Sequence, residues 1–298
     1  MDQPTPGLPE FEYVQLSSLL EASRFLAEHA GEARPFLGGT DTFVRMRDGV
    51  WKEKYLVDVK NLDGMKEISF DPEAGLAIGA AVNMNQVIAD PFVKEHYPLL
   101  AQASATVASY QLRSRATIVG NICNASPAGD TIGACIVMRA VLQVHGVGGI
   151  RDEPLAGFFL GPGHTRLKPG DVAMSVRFPM PPVGHKGNYI KLGRNASSDL
   201  AIVGVTALGF PDQTAASGYR FRLALASVAP TPVIPLQAEQ ILSEKQITAE
   251  TIMTAAAAAQ EAATPISDPR GSARYRKMMV RNLTRKAVED VWSELRRE

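Results

Sequence analysis

The sequence predicts an α+β fold in two parts, and three features carry that reading. Short β-type runs alternate with helical signals over the first 178 residues, the densest internal Pro/Gly stretch falls at 179–187, and three strands followed by three helices fill the remainder. With 298 residues, the chain suits one large domain or two of ordinary size, and the boundary is expected at that stretch: residues 1–182, with subdomains of about 8–62 and 63–182, then 186–298.

The elements follow in order. Ser18 and Glu21 stand at capping-box spacing, Leu19, Ala22 and Leu26 share one helical face, and Gly31 closes the helix. A short strand over Pro35–Leu37 runs into Gly38-Gly39-Thr40-Asp41, and Tyr55–Val59 is a second strand. Residues 75–82 form another, after which Asn83 caps a helical stretch, and a helix covers Leu99–Ser109. Residues 111–130 have turn and loop composition throughout. Strands broken by Gly146, Gly148 and Gly149 occupy 140–160, and Val172, Met174, Val176 and Phe178 alternate as in a half-buried strand. Beyond the boundary come a strand over Tyr189–Leu192 and a hairpin of 200–210 with 219–228. Helices follow at about 235–244, 248–263 and 273–296, the last with Val280, Leu283, Ala287 and Val291 as its buried stripe.

Composition narrows the function classes. The 31 basic and 31 acidic residues balance, which argues against general nucleic-acid binding, since that needs a basic surplus. No apolar run is long enough to span a membrane, and the N-terminus lacks signal-peptide character, so a cytoplasmic protein is expected. Two cysteines, Cys123 and Cys135, exclude a disulfide framework and an all-cysteine metal site, and both are read as small buried hydrophobes. The five histidines show no metal-ligand spacing, so no metal is expected on this chain; His164 is read as a turn residue, structural or solvated. The basic set Arg274, Arg276, Lys277, Arg281, Arg285 and Lys286 is read as a solvated helix face, with docking to an acidic partner as its alternative.

Three segments can carry chemistry. Pro35-Phe36-Leu37-Gly38-Gly39-Thr40-Asp41-Thr42 places two glycines after a strand, where the backbone can turn tightly and expose consecutive N–H donors to a pyrophosphate. Alone, it is equally an ordinary turn. Thr117-Ile118-Val119-Gly120-Asn121 precedes Asp130, whose carboxylate can accept from ribityl or ribose hydroxyls. A well-bonded buried loop is its bland counterpart. Lys191, at the start of the second part, is either a solvated surface cation or a charge beside a bound ligand.

GGTD near the N-terminus, R-x-x-A-T-I-x-G-N-x-x-x-A-S-P-A-x-D over 113–130 and K-x-G-R-x-x-x-x-D-x-A-I-V over 191–203 occur in order. Together they resemble the FAD-binding subunits of molybdenum hydroxylases, the xanthine dehydrogenase and aerobic carbon monoxide dehydrogenase group, over nearly the whole chain. Two weaker stretches agree, 158–176 and 267–276. The resemblance implies a two-part FAD domain of the vanillyl-alcohol-oxidase (PCMH) type followed by a smaller α+β C-terminal domain. It makes 35–42 a pyrophosphate loop, 117–121 a second FAD loop, Asp130 an FAD-binding aspartate, Val172 part of a strand against the flavin ring and Lys191 a flavin-side lysine. It implies partners too: a large subunit with a molybdenum cofactor and a small subunit with two [2Fe–2S] clusters, as a dimer of heterotrimers. Electrons would pass from those clusters through FAD to an external acceptor, and no side chain of this chain need be catalytic.

This chain departs from the family's pattern at Val119, where a glycine is usual. If that position needs positive φ, valine is strained there. Near Lys191 it has Asn195 where an arginine is frequent. A stand-alone flavin oxidase or reductase, and a flavin-free assembly subunit, are the alternative readings.

Overall fold

The computed structural model describes residues 7–195 and 198–297; the extreme ends of the expected 1–182 and 186–298 parts lie outside the described residues. A three-stranded parallel sheet opens the chain, built from β1 (Glu12–Gln15), β2 (Ala33–Phe36) and β3 (Tyr55–Asp58) in the order β1-β3-β2. Between its strands run α1 (Leu19–Glu28) and α2 (Thr42–Arg47). Ser18 caps α1 by accepting from the Glu21 N–H, but Glu21 reaches one residue further back than a capping box requires, to Ser17. The helix stops at Glu28, three residues before Gly31.

The second layer is a five-stranded antiparallel sheet. It comprises β4 (Ile68–Asp71), β5 (Gly75–Gly79), β6 (Val141–Gly146), β7 (Gly149–Pro154) and, further on, β10 (Val172–Phe178), in the order β4-β5-β10-β6-β7. Six short helices connect β5 to β6: α3 (Met84–Ala89), α4 (Pro91–His96), α5 (Pro98–Ala105), α6 (Tyr110–Arg113), α7 (Ile118–Asn124) and α8 (Asp130–Val137). Asn83 and Gln86 form a reciprocal capping box on α3. The small ribbon β8 (Phe159–Gly161) with β9 (His164–Thr165) precedes β10.

Residues 111–130 are therefore not loop throughout, as their composition suggests. Most of α6, all of α7 and the first residue of α8 fall within them, because Ser109 and Thr117 cap the first two helices and Ile118, Val119 and Ile122 sink into the core. Val119 is helical and buried, not in the left-handed region, so the strain expected of a valine there does not arise.

The C-terminal part is a three-stranded antiparallel sheet, β11 (Lys186–Leu192), β12 (Val203–Pro211) and β13 (Tyr219–Ala226), covered by α9 (Leu236–Glu244), α10 (Ala249–Ala262) and α11 (Ala273–Leu295). Val280, Ala287 and Val291 of α11 are buried against β12 as the stripe requires, with Leu283 partly buried. Arg276 corrects the solvated-face reading of this helix: it is 2% exposed. Its guanidinium donates to the carbonyls of Ile202 and Ser227 and pairs with Asp268 at 2.7 Å. The two parts meet where α8 packs on β12 and β13 and α5 packs on β11, so Tyr189, Leu208 and Ala224 join the N-terminal core.

Candidate functional site

A cavity of about 610 Å³ lies where the first sheet, the α7–α8 region, the loop before β10 and residues 198–200 converge. That size is within the range of small-molecule and cofactor sites. Of the segment 35–42, Pro35 and Leu37 to Thr42 line it, and of 117–121, Thr117, Gly120 and Asn121 do so; Asp130 and Val172 line it as well. Phe36, Ile118, Val119 and Lys191 are not part of this wall. The first three are buried behind it in the core.

The first wall is the turn after β2. Gly39 sits at φ +71° with the Phe36 ring beneath it, and a Cβ on Gly38 would lie 2.1 Å from the Arg115 carbonyl oxygen. Glycines at both places allow the turn and its tight contact with the second segment. Among the described residues, the N–H groups of Gly38, Gly39, Thr40 and Asp41 meet no acceptor. Four consecutive amides without a partner are a cost unless water or a ligand accepts from them. Such a row suits an anion with several oxygens.

The second wall is α7. Thr117, 5% exposed, accepts from the Gly120 N–H at 2.8 Å, and the Ala116 carbonyl accepts from Met84. Thr131 donates to Asn121 Oδ1 at 2.8 Å, which leaves the Asn121 amide nitrogen without a protein partner among the described residues. Asn124 also lines the cavity, and its buried Oδ1 has no hydrogen-bond donor. A buried acceptor left open in a cavity wall is what a polar ligand would satisfy.

Asp130, the first residue of α8, is buried. Tyr189 donates to its Oδ1 at 2.6 Å and Lys191 Nζ lies 2.8 Å from its Oδ2. Burial dominates and holds this carboxyl above the usual carboxylate range, although Lys191 and Tyr189 pull it down. Lys191, with only 12% of its side chain exposed, donates also to the Thr106 carbonyl. It is no solvated surface group; it stands behind Asp130 with its charge matched.

The remaining wall escaped the sequence reading. Asp171, 8% exposed, is gripped by Arg151 through both terminal nitrogens, at 2.8 and 2.5 Å, and accepts from the Lys168 N–H. That clamp fixes the loop leading into Val172. His164 lines the rim instead of serving a turn alone. Cys123 touches the cavity too, with burial pushing its thiol up to about 12, so it stays protonated; Cys135 is fully buried. Asp171 stands one residue before the alternating run 172–178, which was the only local signal for it.

Among the described residues, no group of three His, Cys, Asp or Glu side chains is placed to hold a metal, and no helix is long and apolar enough to cross a membrane.

Residues 9–181 match the family described as the FAD-binding domain in molybdopterin dehydrogenase, and residues 188–291 match the C-terminal domain of carbon monoxide dehydrogenase flavoprotein. The carbon monoxide dehydrogenase medium chain of Hydrogenophaga pseudoflava is 30% identical over 96% of this chain and 98% of its own length. The xanthine dehydrogenase FAD-binding subunit of Escherichia coli O157:H7 is 28% identical over 93% and 94%. A solved carbon monoxide dehydrogenase from Hydrogenophaga pseudoflava, lacking the Mo-pyranopterin moiety, superposes with a TM-score of 0.91 at 31% identity, covering 96% of this chain and 99% of the other. Quinoline 2-oxidoreductase from Pseudomonas putida 86 gives a TM-score of 0.87 at 26% identity, covering 95% and 97%.

Proposed function

Because the chain belongs to the family of FAD-binding subunits of molybdopterin dehydrogenases, we propose that it carries FAD in the 610 Å³ cavity and serves as the electron-transfer subunit of a molybdenum hydroxylase. The row of four unpartnered amides at 38–41, in the same wall system as Thr117, Asn121 and Asp130, is the observation that carries this reading.

The cofactor supplies a two-electron carrier able to exchange electrons singly. The protein's work is to bind and orient it. Gly38, Gly39, Thr40 and Asp41 would donate to the pyrophosphate, flanked by Pro35, Leu37 and Thr42, with Phe36 supporting the turn from below. Thr117, Gly120 and Asn121 form the second contact, propped by the buried Ile118 and Val119. Asp130 would accept from a ribityl or ribose hydroxyl, and Val172, which lines the same cavity, would face the flavin. Lys191 is a positioning residue: with Tyr189 it fixes which way the Asp130 carboxylate points.

In the assembled enzyme, a large subunit with a molybdenum cofactor hydroxylates the substrate. A small subunit with two [2Fe–2S] clusters brings the electrons to this chain, which releases them to NAD⁺, a quinone, oxygen or another acceptor. The unit is a dimer of heterotrimers in the cytoplasm, and substrate choice resides on the large subunit. Stripping FAD from the complex purified from its own host tests the relay. Substrate should still reduce the [2Fe–2S] clusters, while acceptor reduction falls and returns on adding FAD. Acceptor reduction at an undiminished rate without FAD would exclude this place in the sequence.

A further inference from the structure

A second cavity, of about 600 Å³, lies at the other end of α8, between that helix, β13 and α9. Seven residues along α8, from Asp130 to Val137, separate it from Asp130 by about 10 Å at an ordinary helical rise. Three arginines line it, Arg139, Arg220 and Arg222, against a single carboxylate, Glu239. Arg220 is matched by Asp212 at 2.6 Å. The other two are matched by no carboxylate among the described residues.

Arg222 donates to the Val137 carbonyl at 3.1 Å and lies over the Phe210 ring at 4.9 Å, while its Nε is buried without an acceptor. Glu239 forms no ion pair with it, because Glu239 Oε1 accepts from the Leu223 N–H and reaches no arginine within ion-pair distance among the described residues; its charge offsets the guanidinium only from further away. Burial, and next the repulsion of Arg139, bring the Arg222 guanidinium down to about 10. Arg139 follows the C-cap of α8 at φ +58°, a left-handed position that glycine takes without strain. An exposed guanidinium in a left-handed backbone position thus stands beside a part-buried one, both without a carboxylate partner among the described residues, and an oxyanion in this cavity would supply what they lack. The rest of the wall is mostly apolar, with Val137, Ala140, Leu155 and Leu236.

We propose that this cavity binds a small organic oxyanion, a carboxylate or phosphate on an apolar body, held by the guanidinium groups of Arg139 and Arg222. Guanidinium forks match the oxygens of either group in pairs, and the apolar wall takes the body. This site is separate from the FAD cavity and does not depend on it.

Titration calorimetry of the full chain, with FAD in excess and ionic strength held constant, tests the proposal with phenyl phosphate, benzoate and inorganic phosphate. One aryl anion should bind more tightly than inorganic phosphate, and the better of the two identifies the anionic group. In Arg139→Gly/Arg222→Gln, affinity should fall by about a hundredfold or more, the scale of two lost charged hydrogen bonds. Glu239→Gln keeps the acceptor for Leu223 and removes the opposing charge, so it should tighten binding. No heat from any probe would overturn the proposal, as would inorganic phosphate binding as well as the aryl anions. Unchanged affinity in the folded double variant would overturn it too. Should that variant not fold, unchanged or weaker binding in Glu239→Gln decides against it.

Discussion

Replacing Asp130 with asparagine removes one charge of a pair that is almost entirely out of water: the side chains of Asp130 and Lys191 are 8% and 12% exposed and 2.8 Å apart. Asparagine keeps an oxygen for the Tyr189 hydroxyl but leaves the Lys191 ammonium with only the Thr106 carbonyl. Breaking a buried pair in this way costs about 3 kcal/mol, the lower end of the range for such pairs because the hydrogen bonds partly survive. For a chain of this length, that lowers the melting temperature by roughly 5 °C. Two effects compete here. Burial opposes the charge on Asp130, and it is Lys191 and Tyr189 that offset this. Removing both charges in Asp130→Asn/Lys191→Met should therefore recover most of the loss, since neither desolvation penalty remains. FAD affinity, by contrast, should stay weak in both variants. Calorimetric melting of the three proteins at one pH and salt concentration reads this out. A single variant as stable as the parent, or a double variant no better than the single, would refute the reasoning.

Other outcomes follow from the same geometry. Gly38→Ala should weaken FAD binding by about tenfold or more, roughly 1.4 kcal/mol, because its Cβ would sit 2.1 Å from the Arg115 carbonyl oxygen and part the two walls; FAD fluorescence titration measures it, and parental affinity would contradict it. Thr117→Ala should cost about 1 kcal/mol through the lost cap on α7, with Thr117→Ser restoring it, by chemical denaturation. Arg276→Met leaves Asp268 with Arg270 alone and two carbonyls without their donor, so a loss of about 3–5 kcal/mol is expected by the same assay. Although burial pushes the Asp268 carboxyl up, Arg270 and Arg276 hold it well below the usual range. Its contribution is present above the unfolded carboxylate pKa and disappears as pH falls through the folded value, so Asp268→Asn should flatten the acid limb of the stability profile.

Local signals were enough for elements whose caps and periodicity agree. Ser18 starts α1, Asn83 starts α3, and the stripe of α11 reads directly from Val280 to Val291. They failed at 111–130, where Gly120, Pro127 and Gly129 argue for loop while burial of Ile118, Val119 and Ile122 makes short helices. Arg276 reads as solvated because nothing near it in sequence foretells the carbonyls of Ile202 and Ser227, 74 and 49 residues away. The candidate site divides in the same way. Its glycine turn and Asp130 stand in legible motifs, but the Asp130–Lys191 pair spans 61 residues, and Asn124 and Asp171 acquire their place only when α7 and the loop before β10 close on one cavity.

The most direct test is the cofactor content of the purified full chain, read from its visible spectrum and from the chromophore released by heat. Flavin absorbance, with FAD released at about one per chain as one cofactor site requires, is the predicted result, and Gly38→Ala should carry less. A folded, colourless protein that takes up no added FAD would contradict the account.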